Sequence, residues 1–399
     1  MWIFTTMKGF LISRWKWLPV VILSVVLAGV LVWRVGEHNQ GVIVAEQETP
    51  TPFSSITPKK EAKGLIGQTE GRTSDELPPG LSNLSMEERR QKLTERREFS
   101  MQLQKESADV LLTRLEALWG TTGTESRSLE EKALVMSALT EALQAGDENS
   151  TRAAYQKLSA LLRDESFSLN AKSGIASMLG SVQTPQSVQL LLLEYQRASD
   201  VKMRQILGDE IGRTGDTRLA GRFREDLSPP LEAAWPVSKN DPKLAKALAN
   251  GLAKVGTAAG VQLLVNEVLR STQTVEGLSD LKDLQGQAAF MALEKVRNPN
   301  AVPNLANGLL NSDSSDLQRY VCGISLAAMG RVEATKILLQ WAATASDQET
   351  PWAEQWFGKL RDTASFDLVA AALSQENGIK FASATIRNAV VVGQSNRER

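Results

Sequence analysis

The sequence predicts an all-α protein whose main body is a right-handed α-α superhelix of stacked helix pairs. The first observation behind this is periodicity. The leading buried position expected in each second helix (Val188, Ala220, Val261, Val302, Thr335, Leu368) recurs every 32–41 residues, the spacing of a two-helix repeat. The second is punctuation: Gly180, Gly212, Gly256 and Gly330 stand where a first helix must stop, and glycine readily adopts the left-handed closing conformation. The third is a set of small residues on the first helices (Ala171, Ala176, Ala288, Ala289, Ala327, Ala328), which allow close helix contact. One helix pair cannot hide both of its apolar faces, and stacking supplies the missing surface.

Residues 1–16 carry Lys8, Arg14 and Lys16 and read as a cytoplasmic N-terminus. Residues 17–35, WLPVVILSVVLAGVLVWRV, hold no charge between Leu18 and Trp33. Counted from Trp15, with Lys16 free to snorkel, the stretch matches the ~20 residues that cross about 30 Å of hydrocarbon. Trp15, Trp17 and Trp33 mark its two ends, where amphipathic rings favour the interface. Only Arg34 follows closely, so the positive-inside bias places the rest of the chain outside the cytoplasm. The expected partner of residues 17–35 is therefore the lipid bilayer. The expected location is a bacterial inner membrane, single-pass, with the main body facing the periplasm. A cleaved signal peptide is the rival reading, with Ala45 as a cleavage position. The length of the apolar core and the intervening Arg34, Glu37 and His38 weigh for an anchor.

Residues 36–84 hold five prolines and six glycines without apolar periodicity, and read as a flexible linker of roughly 35–40 Å root-mean-square span. Ser85 with Glu88 three residues on predicts a capping box. The helix it opens, residues 85–119, is expected to run unbroken for about 50 Å as a charged stalk. Its first half, MEERRQKLTERREFS, is almost wholly polar. Its second half turns one face (Leu111, Leu112, Leu115, Leu118, Trp119) toward the repeats.

The repeats span residues 127–391. Their units include SLNAKSGIASMLG with QTPQSVQLLLLEYQ, VKMRQILGDEIG with GDTRLAGRFRED, and PKLAKALANGLAKVG with TAAGVQLLVNEVL. Then come QGQAAFMALEKVR with NPNAVPNLANGLL, LQRYVCGISLAAMG with RVEATKILLQWAA, and PWAEQWFGKLR with TASFDLVAAALSQ. Residues 228–242, SPPLEAAWPVSKNDP, read as an exposed loop between units, and residues 392–399 as a disordered tail. On these motifs the chain resembles HEAT-like and armadillo-like α-solenoids, above all the short bacterial HEAT form. That resemblance implies a scaffold or binding surface; some relatives act as lyases or isomerases on bilin chromophores.

The single cysteine (Cys322) and single histidine (His38) exclude zinc fingers and ribbons, which need about four such ligands. His38, in a stretch that reads as linker, is poorly placed to serve a Ser-His or Cys-His pair. A net charge of −1 argues against bulk nucleic-acid binding. No enzyme, cofactor or metal is expected. The expected function is a membrane-anchored helical-repeat scaffold that binds a protein or peptide partner outside the cytoplasm, on the face of the second helices. The alternatives are an enzyme-maturation or lyase-like factor and a structural tether in the cell envelope. Trp235, in the proline-flanked segment, is the exposed contact candidate. Trp352 and Trp356 form either an aromatic anchor or end-of-array core. Arg213, Arg297 and Arg331 each follow a first helix and share one rim if the units superpose; solvated turn arginines are the plainer reading. Glu130, Glu131, Asp209 and Glu210 read as surface charges, and Cys322 as core.

Overall fold

A computed structural model describes residues 85–120, 126–375 and 378–396. The apolar segment 17–35 and the linker 36–84 lie outside the described residues. Among the described residues every regular element is a helix, and no helix is long and apolar enough to cross a membrane.

The capping box forms as expected. Ser85 Oγ accepts from the Glu88 amide, and the Glu88 carboxylate accepts from the Ser85 amide at 2.8 Å. The helix does not run to Trp119, however. It stops at Leu103, giving α1 (Met86–Leu103), and resumes as α2 (Ala108–Gly120). The break lets Leu103 and the Leu111, Leu112 and Leu115 face of α2 bury completely, an area that a straight stalk would leave in water. The polar α1 still touches the body through Arg96 and Glu130, 3.2 Å apart.

Next come α3 (Ser126–Ala145), α4 (Glu148–Arg163), α5 (Leu169–Val182), α6 (Pro185–Arg197), α7 (Val201–Arg213) and the single turn α8 (Thr217–Ala220). The chain continues through α9 (Ser228–Ala234), α10 (Pro242–Val255), α11 (Ala258–Ser271), α12 (Leu284–Leu293) and α13 (Val302–Leu310). It closes with α14 (Asp316–Met329), α15 (Val332–Ala342), α16 (Thr350–Gly358), α17 (Thr363–Leu373) and α18 (Ala384–Asn396). Residues 392–396, expected in a disordered tail, are helical.

Contacts follow chain order. The helices α3, α5, α7, α10, α12, α14 and α16 each pack on the next in that series, and α2, α4, α6, α9 and α11 form a second series in the same way. α13, α15 and α17 pack successively. Within pairs, α5 meets α6, α10 meets α11 and α14 meets α15. The buried side chains between the series form one continuous apolar core.

Two expectations are corrected here. GDTRLAGRFRED is not a second helix: it makes one turn, and Gly221 at φ +67° ends it. The supposed loop 228–242 supplies that helix instead. Pro229 and Pro230 fall in the first turn of α9, where the missing amide costs nothing. Leu231, Ala234 and Trp235 then bury against α6, α10 and α11. The glycines also divide into two roles. Gly256 and Gly330 (both φ +64°) close α10 and α14 in the left-handed conformation. Gly180 and Gly212 lie inside their helices. At Gly180 the absent Cβ leaves room for the Glu210 carboxylate, and Gln183 takes the left-handed position (φ 52°) that ends α5.

Candidate functional site

The ends of the first helices meet along one edge, where polar side chains link one helix pair to another. Gln144 Nε2 donates to the Ser181 carbonyl (3.1 Å), Lys254 Nζ to that of Gly212 (2.9 Å) and Asn298 Nδ2 to that of Val255 (2.8 Å). Lys295 Nζ donates to Asn250 Oδ1 (2.7 Å) and Lys359 Nζ to Glu294 Oε1 (2.8 Å). The first three of these bonds satisfy carbonyls that a helix C-terminus leaves without partners.

Arg213, Arg297 and Arg331 all lie at this edge. Arg213 Nη1 bonds both oxygens of Glu210, at 3.1 and 2.9 Å. Glu210 is therefore not the surface charge expected but a buried one. Burial pushes its carboxyl above the ordinary 4.5, against the pull of Arg213. Arg331 Nε donates to the Arg297 carbonyl (2.8 Å), and its guanidinium lies over the Phe223 ring at 5.7 Å. Arg297 Nη1 donates to the carbonyls of Glu294 and Val296. The Lys359–Glu294 bond brings the end of α16 beside that of α12, adding Arg361 to the group. Burial, and then the like charge of Arg361, hold the Arg297 guanidinium below its ordinary value. None of Arg297, Arg331 and Arg361 has a carboxylate within ion-pair distance among the described residues. Sequence reasoning missed Arg361 although it, too, follows a first helix.

Of the tryptophans, Trp235 is placed differently from expectation. Trp235 is only 4% exposed, with Nε1 3.4 Å from Glu267 Oε2, so the exposed contact residue predicted there does not exist. Trp356 is wholly buried, packed on Trp341 with ring centroids 4.5 Å apart and against Gly323, and presents no surface to a partner. Trp352 is half-buried beside Tyr320, at 5.7 Å. The end-of-array core is therefore what this cluster forms. Cys322 is core as well, with burial pushing its thiol up to about 12.

Two cavities lie elsewhere, beside α7 and α10. A cleft of about 300 Å³ runs between α7 and α10, walled by Arg204 and Arg213 on one side and Lys243 and Lys246 on the other. Gly208, Gly212 and Ala247 also line it. An adjoining cavity of about 580 Å³ shares Arg204 and Lys243 and is bordered by Val201, Val237 and Pro242. Arg204 is fixed between the two: Nη2 lies 2.6 Å from Asp241 Oδ2, and the guanidinium stacks over Tyr195 at 5.1 Å. The Tyr195 hydroxyl donates to Asp241, and burial followed by the Asp241 charge raises it to about 12. Local sequence builds this arrangement: Asp241 caps α10 by accepting from the Lys243 and Leu244 amides, which orients its carboxylate. Comparison with family models, curated proteins and solved structures finds no match to this chain.

Proposed function

We propose that the chain is a membrane-anchored helical-repeat scaffold that binds a protein or peptide partner outside the cytoplasm. The two series of successive helices support reading residues 127–391 as a HEAT-like right-handed superhelix, and the apolar run 17–35 supports the anchor. The observation that carries the binding role is the cleft between α7 and α10. It is open and lined by charge: Arg204 and Arg213 are held by Asp241 and Glu210, and Lys243 and Lys246 are exposed. Such a groove accommodates an extended chain better than a small apolar molecule, whose sites are mostly apolar. The binding face moves accordingly from the second helices to the first.

The test joins membrane extraction with proximity labelling from the C-terminus in the native cell. The proposal expects the chain to resist alkaline extraction and to label a reproducible set of envelope proteins. Release into the soluble fraction opposes the anchor, and labelling confined to cytoplasmic proteins opposes the placement.

A further inference from the structure

We infer that the cleft between α7 and α10 takes an extended acidic segment, about four residues long, of the protein partner. This rests on the scaffold reading and adds the chemistry of what is bound.

The walls carry four cations, and among the lining residues only Asp209 carries a carboxylate. Arg204 and Arg213 are held in place by Asp241 and Glu210, so little side-chain freedom is lost when an anion docks on them. Lys243 and Lys246 are exposed and have no ion pair among the described residues. Their charge is available to a ligand. Gly208 and Gly212 let α7 pack close to its neighbours: a Cβ at Gly208 would meet the Tyr195 ring at 3.2 Å, and one at Gly212 the Ala247 Cα at 3.6 Å.

From Arg204 to Arg213 the helix rises about 14 Å, the reach of about four extended residues. Alternate side chains of an extended segment face the same wall, so carboxylates two apart can meet Lys243 and Lys246, three residues apart on α10. Asp209, midway along α7, opposes an acid at one position and sets the register. The exposed Val201 and Val237 at the adjoining cavity suit an aliphatic residue flanking the acidic run. Single-stranded nucleic acid, the other polyanion, wants exposed aromatic platforms, and Tyr195 at this site is buried.

Fluorescence anisotropy on the purified full chain, with a fluorescein-labelled hexaglutamate peptide, tests the inference. Saturable binding that weakens with salt is expected. It should fall at least about tenfold in K243E/K246E, strengthen in D209N and hold in R297E/R361E. Circular dichroism checks that each variant folds. Binding that is absent, indifferent to K243E/K246E, equally lost in R297E/R361E, or matched by hexalysine or oligothymidine overturns the acidic-peptide assignment. So does displacement of the peptide by inorganic phosphate at equal charge concentration. Each of these results leaves the scaffold reading standing, because that reading fails through native labelling instead.

Discussion

Arg331 Nε donates a 2.8 Å hydrogen bond to the backbone carbonyl of Arg297, 34 residues earlier in the chain. The bond joins the end of α14 to the turn after α12, and it is one of a series that runs along the same edge. Replacing Arg331 with Ala removes this bond and the stacking on Phe223. A loss of about 0.5–1.5 kcal/mol is expected, read by urea denaturation. Arg331→Lys should recover little, since an ammonium lacks the planar fork that lies on the ring.

Trp235→Ala should be severely destabilising. The indole is buried among α9, α10 and α12, and its removal leaves a cavity of the kind that costs about 3–5 kcal/mol. Equilibrium denaturation measures this directly. A change within about 0.5 kcal/mol would mean the indole is solvated after all.

Gly323→Ala tests the end of the array. A Cβ at this position runs into the Trp356 indole, so the helices α14 and α16 must separate. A loss of about 1–3 kcal/mol is expected for such overpacking. Combining Gly323→Ala with Trp356→Leu should recover part of it, seen as non-additive melting temperatures.

Glu194 ties α4 to α6. Burial raises its carboxyl, but the Arg163 guanidinium, the Ser159 hydroxyl (2.7 Å) and Arg197 outweigh this and hold it below the ordinary 4.5. The folded protein then binds this proton less readily than the unfolded chain. Its contribution is full above pH 4.5 and lost as pH falls through the lower folded value. Glu194→Gln should flatten stability against pH in that acid range, and should lower stability at neutral pH. Carbon-detected NMR titration of the carboxyl gives the direction independently.

Much of the helical body was legible in the sequence because its signals are local. The Ser85–Glu88 box, the closing glycines at 256 and 330 and the buried Cys322 each follow from neighbours within a few residues. The errors share a cause. Pro229 and Pro230 mark a loop by composition, yet in a first turn they start a helix, and only the vacancy beside α6 and α11 decides between these. The unbroken stalk failed for the same reason: nothing in MEERRQKLTERREFSMQL foretells that Leu103 will find a buried site. The cleft was less legible still. Arg204 lies some forty residues before Lys243 and Lys246, and their meeting depends on α7 packing against α10.

The most direct measurement is site-specific photo-cross-linking in the native cell. A photoreactive amino acid is placed at Gln205 on the lip of the cleft, or at the exposed Lys336 on α15 as reference. The account predicts a discrete adduct with one envelope protein from position 205 that is lost with K243E/K246E, and none from position 336. Adducts of equal yield from both positions, or none from 205, would contradict it.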